Sequence, residues 1–409
     1  MTAGTLETEV VVIGGGVAGC CAAIALRQAG VEVILVEQSC GRPHRFCGEF
    51  ISAEAADSLA ALDIWSAVTE LGPNFVRRMA LYGTVGEGYH LPLAEHGLGL
   101  SRRALDSALI ARAVALGARV LEGARVEHVG GSAAEGYHVQ VSGRNSQPQA
   151  ALRSRAVIGA QGKRSSVDRV LGRRFLRHKS RFVGVKVHCR GIERSDAVSL
   201  HLFPGGYGGV VTIEDGLTTI CLLAKQRVLR ASGGSPADLL SAARAANGPL
   251  AALLRRASFV PESWITIGQV PLFPKEPVAN GVFMAGDSAG VMPPFLGVGV
   301  ANAMRSGRVC AELVAGIVRG RQDYRSARQQ YESWWQQHCR GLQRWGRLAS
   351  ELLCHPFVGN RAIGVLNRLP SIGKRLYRDS RAAGRPRDEC LQRPAQETPA
   401  AAFRRPGGP

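Results

Sequence analysis

The chain has 409 residues, 45% hydrophobic and 20% charged, proportions that suit a globular protein of about two or three structural units. Lys and Arg outnumber Asp and Glu by 51 to 32, a net charge of +19 that favours anionic partners. There is no Cys/His zinc-finger spacing and no RNA-recognition signature, so a specific nucleic-acid reader is not expected, and an Arg-rich surface with a basic tail accounts for the charge.

In chain order, MTAGTLETEV lacks the basic-then-apolar order of a signal peptide, and no later apolar run reaches the ~20 residues of a spanning helix. The ten cysteines are scattered without a CxxC pair, a pattern that reads as reduced thiols in a cytoplasm. EVVVI (9–13) is a β-branched run that predicts a buried strand. GGGVAG and an alanine-rich helix to about Ala29 follow, with Gly30 as its C-cap residue, and VEVILVE (31–37) predicts a second strand. Residues 52–62 read as helical, 75–93 as short strands between glycine turns, and 102–117 as a helix with Leu105, Leu109 and Ala113 on one face. Strands are expected near 118–129, 136–142 and 155–159, then four between Phe182 and Leu223. Helices resume at about 235–256. The strand GVFMA (281–285) leads through a glycine-rich turn to a long helix over about 299–318, and two further helical stretches reach about Tyr377. From Arg378 the composition is Arg, Pro, Ala and Gly with few apolar anchors, which predicts disorder.

Gly14, Gly16 and Gly19 form a GxGxxG pattern placed after a strand and before a helix. Gly14 permits the tight turn, Gly16 lets the backbone approach a pyrophosphate, and Gly19 allows close helix–strand packing. Val17 and Ala18 open the helix, whose free N–H groups and positive end suit phosphates. Glu37, followed by Gln38, ends the second strand where a carboxylate grips ribose hydroxyls, so the held dinucleotide is NAD or FAD and not NADP.

GVFMAGDSAGVMPPFLGVGVANAM (281–304) resembles the late FAD motif of glutathione-reductase-type flavoproteins, which implies that Asp287 contacts the ribityl chain and selects FAD. By the same resemblance, Pro294, Gly297 and Gly299 lead into a helix whose N-terminus faces the flavin. SRRALDSAL (101–109) resembles that group's RxxLD segment and implies contact by Arg102. AVIGAQGKRSSVDR (156–169) resembles its GADGxxSxVR segment and retains Gly162, Arg164 and Ser165, with Gln161 in place of the usual Asp. The chain is therefore similar, over about residues 9–320, to FAD-dependent monooxygenases of the p-hydroxybenzoate hydroxylase fold, and within them to the geranylgeranyl-reductase-like branch.

CGRPHRFCGEF (40–50) raises its own question: metal site, redox disulfide or pocket wall. Nothing pairs with Cys40 and Cys47 at metal spacing, so no metal is expected, and a disulfide is unusual in a reducing compartment. The resemblance places Arg42 or Arg45 near FAD and Cys47, Gly48 and Glu49 at the active-site wall. Cys47 is either a catalytic thiol or a small packing residue. In the β-rich middle, Lys186 and His188 share one face and His201 faces away from Leu200 and Leu202. A solvated outer face is the expected fate of any one of them. Tyr207, in GGYGG, is a better pocket candidate, although a hairpin turn also explains it. RGLQRWGRLASELLCHPF (340–357) mixes Trp345, Leu348 and Leu352 with Arg340, Arg344 and Arg347. Such a helix either lies on anionic lipid as a peripheral contact or covers the core, and core cover is the expected role.

The expectation is an α/β fold: a Rossmann-like FAD-binding domain with a β-sheet substrate domain and a helical C-terminal extension. Its segments are 1–180 (FAD domain, with a β insertion about 75–100), 181–270 (substrate domain), 271–320 (FAD domain again), 321–378 (helical) and 379–409 (disordered basic tail). With one dinucleotide motif, NADPH or NADH visits only transiently as reductant. The expected reaction is hydroxylation of an apolar or aromatic small molecule, with dioxygen as co-substrate. The alternative is reduction of a prenyl or other alkene chain. A flavin halogenase is disfavoured by the absence of WxWxIP, and the non-enzyme alternative is an FAD-bound scaffold or nucleic-acid-binding flavoprotein.

Overall fold

A computed structural model describes residues 5–143 and 148–382; most of the expected tail, 383–409, lies outside the described residues. The glycine fingerprint sits where the first strand, Val10–Ile13, meets the first helix, α1 (Val17–Gln28). That strand is central in a six-stranded sheet ordered Val278–Ala279, Val282–Met284, Ala156–Gly159, Val10–Ile13, Val33–Glu37 and Arg119–Glu122. All its neighbour pairs are parallel except the first. Continuous burial of VVVI and VILVE follows, because helices cover both faces of a parallel sheet. Gly30 closes α1 at φ +73. The helices α2 (Arg102–Ala115) and α3 (Gly299–Val318) flank α1. A Cβ at Gly307 of α3 would lie 2.3 Å from the Ala18 carbonyl oxygen, so glycine sets how closely α3 crosses α1.

The β-rich part is one nine-stranded sheet. It includes Phe182–Arg190, Ala197–Phe203, Gly206–Thr212 and Thr218–Lys225, and also Asn74–Tyr82 and Tyr89–Gly99 from the insertion. The insertion and the middle of the chain thus build one layer. A four-stranded sheet, Thr5–Glu7 with Arg125–Ser132, Gly136–Ser142 and Pro148–Ser154, forms a third; the sequence reading missed its strands at 5–7 and 148–154.

Four helices close the molecule: α4 (Tyr324–Trp335), α5 (Gly341–Leu353), α6 (Pro356–Arg368) and α7 (Pro370–Ala382), with a π-helical turn at Gln336–Arg340. The last reaches Ala382 instead of ending near 378, and the reason is Arg381. That side chain is buried, stacks on Tyr377 and approaches Glu54 at 3.6 Å. Among the described residues no helix is long and apolar enough to cross a membrane.

Expectations change at four residues. Lys186, His188 and His201 are all buried, not solvated. The alternation is right, but the sheet is covered on both sides. Val183, Val185 and Val187 pack against helices of residues 236–254, while Gly184, Lys186 and His188 face the 44–49 segment. His201 stacks on Tyr82 and bonds to Asn247 at 3.2 Å. Tyr207 lies inside a strand; the turn is at Pro204–Gly205.

Candidate active site

The six-stranded sheet and the nine-stranded sheet meet at a cavity of about 600 Å³. One end is a polar cradle. Gly14 needs its left-handed backbone (φ +104), and a Cβ there would lie 2.4 Å from the Ala160 carbonyl oxygen. Gly19 is pressed so close that a Cβ would lie 1.8 Å from the Gly14 oxygen. Gly16 differs. It faces the cavity, and a Cβ there would meet only the Arg102 guanidinium, at 3.6 Å. No side chain caps α1, so its first N–H groups remain free for an anion. Val17 and Ala18 line the same wall; Gly19 packs behind it.

Glu37 and Gln38 line the cradle. The Glu37 carboxylate accepts from the N–H groups of Gly15 (2.7 Å) and Ser39 (2.8 Å) and from Arg45 (3.1 Å). Burial pushes its pKa up, but Arg45 and these N–H groups outweigh burial and hold it below the usual carboxylate range. It is thus a fixed anion with acceptor capacity left for a hydroxyl. Arg42 does not line the cavity; it pairs with Glu122 at 2.5 Å.

Arg102, at the start of α2, grips Asp106 through two 3.0 Å bonds and presents its guanidinium to the cradle. Asp287 lines the cavity beside Lys163, 2.9 Å away. Burial raises the Asp287 carboxyl, and Lys163 more than offsets this, so it lies below its ordinary value. Gln161 donates to Asp168 at 3.1 Å, while its Oε1 is buried without a donor among the described residues. Asp168 in turn holds the buried Arg173 at 3.1 Å. The acid expected at position 161 has a buried counterpart seven residues on. Gly162 (φ +86), Gly299 and Gly48 have open space where a Cβ would stand, and Pro294 and Gly297 complete the rim.

The other end of the cavity is apolar, with Met79, Val198, Leu200, Ile267, Val291 and Phe295 on its wall. Cys47 lines the cavity between Arg102 of the cradle and Cys221, interacting with both. Its Sγ accepts from the Glu49 N–H at 3.3 Å, and it is a free thiol, as is Cys40. Tyr207 puts its ring on the apolar wall, but its hydroxyl accepts the Phe295 N–H at 3.0 Å. Burial pushes that hydroxyl well up, so Tyr207 acts as a strut for the 294–296 turn.

Behind Cys47 is a group of residues that sequence reasoning left unconnected. Glu49, buried and at φ +56, accepts from Lys186 (2.5 Å), His188 Nε2 (2.6 Å), Thr219 (2.6 Å) and the Arg102 N–H (2.8 Å). Burial raises its pKa, but His188 and Lys186 dominate and pull it down to about 2. His44 stands edge-on to His188 at 5.1 Å. The matched face of Lys186 and His188 was the available signal; only the fold supplies the acid between them.

These residues fit FAD. A glycine-lined cradle beside a helix N-terminus and Arg102 suits a pyrophosphate, Glu37 suits ribose hydroxyls, and the orphaned Gln161 oxygen suits a polyol donor.

Over 354 residues the chain is 27% identical to digeranylgeranylglycerophospholipid reductase 2 of Methanopyrus kandleri, covering 81% of this chain and 83% of that protein. It is also 27% identical over 335 residues to a menaquinone reductase of Mycobacterium tuberculosis, covering 75% and 76%. A geranylgeranyl bacteriochlorophyll reductase-like protein from Thermoplasma acidophilum superposes with a TM-score of 0.77 at 21% identity over 94% of this chain and 98% of that one. A flavin-dependent brominase reaches 0.77 at 18% over 97% of each, so the fold is common to several chemistries. The FAD binding domain model matches residues 7–338, most of the chain, and with the cradle described above it follows that the protein is an FAD-dependent oxidoreductase belonging to that family.

Proposed function

We propose that the protein reduces a carbon–carbon double bond in a long apolar chain of prenyl type, with NADPH or NADH as the transient source of electrons. The observation that carries this reading is the position of Cys47 between Arg102 of the cofactor cradle and Cys221, in a cavity with an apolar wall. Among the described residues no His, Asp or Glu lines the apolar part of that pocket. A hydroxylase acting on a phenol gains from a base there; an alkene needs only apolar contact and a proton donor. The reductase names of the sequence relatives support the same choice. The layout behind the expectation of hydroxylation supports neither side, because reductase-like and halogenase folds share it.

Bound and reduced, FAD supplies a hydride equivalent. The chain's own residues do the rest. Glu37, Arg102 and the free N–H groups of α1 hold the cofactor, and Met79, Val198 and Leu200 exclude water from the alkene. Cys47 delivers the proton to the second carbon, while the Glu49 N–H fixes the direction of its sulfur. Cys221 also lines the pocket, and burial pushes its thiol up to about 12.

Anaerobic incubation with reductant and a geranylgeranyl lipid should give product heavier by two hydrogens per reduced bond. Incorporation of an atom from labelled dioxygen would instead establish hydroxylation. Cys47→Ala should retain FAD and its absorbance yet lose about 10²–10⁴-fold in turnover, the range for removing a general acid. Unchanged turnover would reduce Cys47 to a packing residue.

A further inference from the structure

The helices α5, α6 and α7 have apolar side chains on the wrong side for simple core cover. Their inner faces are complete. A Cβ at Gly346 would lie 2.8 Å from Leu296, one at Gly359 2.6 Å from Leu202, and one at Gly373 2.1 Å from the Tyr89 hydroxyl. Leu342, Leu353 and Ile363 fill the remaining inner positions. Yet nine of the twelve exposed large apolar side chains among the described residues lie on these helices or at the joint between α6 and α7.

They fall in stripes. On α5 they are Trp345, Leu348 and Leu352, spaced to share one face. Phe357 (68% exposed), Val358 and Val365 continue along α6, and Leu369, Ile372 and Leu376 from the joint along α7. Basic residues interleave with them. Residues 340–382 hold nine Lys and Arg against two acids, Glu351 and Asp379. Glu351 is already paired with Lys225 at 2.9 Å, and Asp379 faces Arg375 and Arg378. Arg340, Arg344 and Arg347 line a second cavity of about 340 Å³ against Leu272 and Phe273, and Val291 is common to this cavity and the main one.

We infer that α5–α7 form a docking face for an anionic lipid bilayer, with headgroup phosphates seated by Arg340, Arg344 and Arg347. Charge complementarity selects this occupant. A second copy would bring one strongly basic face against another. Residues 383–409 carry five Arg against three acids, so the chain's own tail offers no complementary charge either. A bilayer supplies both parts, apolar depth for the stripes and phosphates for the arginines. The docking does not depend on which reaction the flavin supports. If the alkene-reductase reading holds, α5 also roofs the pocket beside its 294–296 rim, so a lipid chain has a short path inward.

The test is flotation of the FAD-loaded full chain with vesicles, read without turnover. At about 0.1 M salt the protein should float with phosphatidylcholine vesicles containing phosphatidylglycerol and stay behind with phosphatidylcholine alone. Salt near 1 M, where the Debye length falls to about 3 Å, should release it. Arg340→Gln, Arg344→Gln and Arg347→Gln together should weaken partitioning about a hundredfold, and so should Trp345→Glu with Leu348→Glu, with bound FAD and its absorbance unchanged. Equal binding to both vesicle types, or binding indifferent to these variants, would overturn the inference. A dimer in free solution that Leu348→Glu dissociates would assign the face to a second copy. Displacement by millimolar inorganic phosphate at constant ionic strength would replace the bilayer with a discrete phosphate site.

Discussion

Gly16→Val should yield a folded, colourless protein whose affinity for FAD falls by about three orders of magnitude. The reason lies in what surrounds that glycine. Its φ is −82°, which valine adopts without strain. A Cβ would meet nothing nearer than the Arg102 guanidinium at 3.6 Å, so the fold itself accepts the change. The added methyls instead enter the space where the pyrophosphate must approach the backbone. Two charge-assisted hydrogen bonds at about 2 kcal/mol each are lost, equivalent to about 1,000-fold. The measurement is flavin released per chain on denaturation, followed by fluorescence titration of the apoprotein. Gly19→Val is the contrasting control: its Cβ would lie 1.8 Å from the Gly14 oxygen, so it should disrupt folding, not binding alone. A yellow Gly16→Val protein of normal affinity would remove FAD from this cradle.

Glu49→Leu should destabilise the protein by about 3–5 kcal/mol, because it leaves Lys186 buried and without its counter-charge. Glu49 holds a left-handed backbone that costs a non-glycine residue about 1–3 kcal/mol, and four donors to its carboxylate over-determine that position. The loss should be partly recovered in Glu49→Leu with Lys186→Met, where no isolated charge remains. The pH dependence follows from the same carboxylate. It binds its proton near pH 2 in the folded protein, against 4.5 ordinarily. Between these values the unfolded chain holds more protons, so the stabilisation is complete above pH 4.5 and is lost as pH falls towards 2. The amount is about 3 kcal/mol. Melting temperatures taken from pH 7 down to 3 should therefore fall more steeply for the parent than for the double variant. Parallel curves would show that Glu49 is not the acid-sensitive group. Leucine keeps the backbone N–H that bonds to Cys47, but without the carboxylate contacts the left-handed turn that aims it is no longer held, so both variants should also slow turnover before any loss of FAD.

Those two residues show where reading the chain stops being enough. Gly14, Gly16, Gly19 and Glu37 lie within 24 residues of one another, in a strand–turn–helix–strand unit whose geometry is local. Side-chain size and spacing alone dictate that turn, and so the cradle was legible. The 281–304 segment was legible for the same reason: the Val282–Met284 strand and the Gly299–Val318 helix follow from β-branched residues and helical periodicity.

The Glu49 network has no such local signature. Its members at 49, 102, 186, 188 and 219 meet because the 44–49 segment lies across one face of a sheet whose other face is packed by helices. Alternation placed Lys186 and His188 together, but whether their face meets water or a buried acid depends on long-range packing. Tyr207 is similar: its GGYGG context suggests a turn, while pairing with Leu202 and Leu223 makes it strand and commits its hydroxyl to Phe295. The C-terminal helices follow the same rule in reverse. Their amphipathic pattern is plain in the sequence, but which stripe turns inward was decided by the glycines at 346, 359 and 373, which bring the helices flush against the core and leave Trp345, Leu348 and Phe357 outside. Local chemistry determined the cofactor cradle; the choice between buried and exposed faces belonged to the tertiary structure, because burial is a property of what packs opposite a residue and not of the residue's neighbours in the chain.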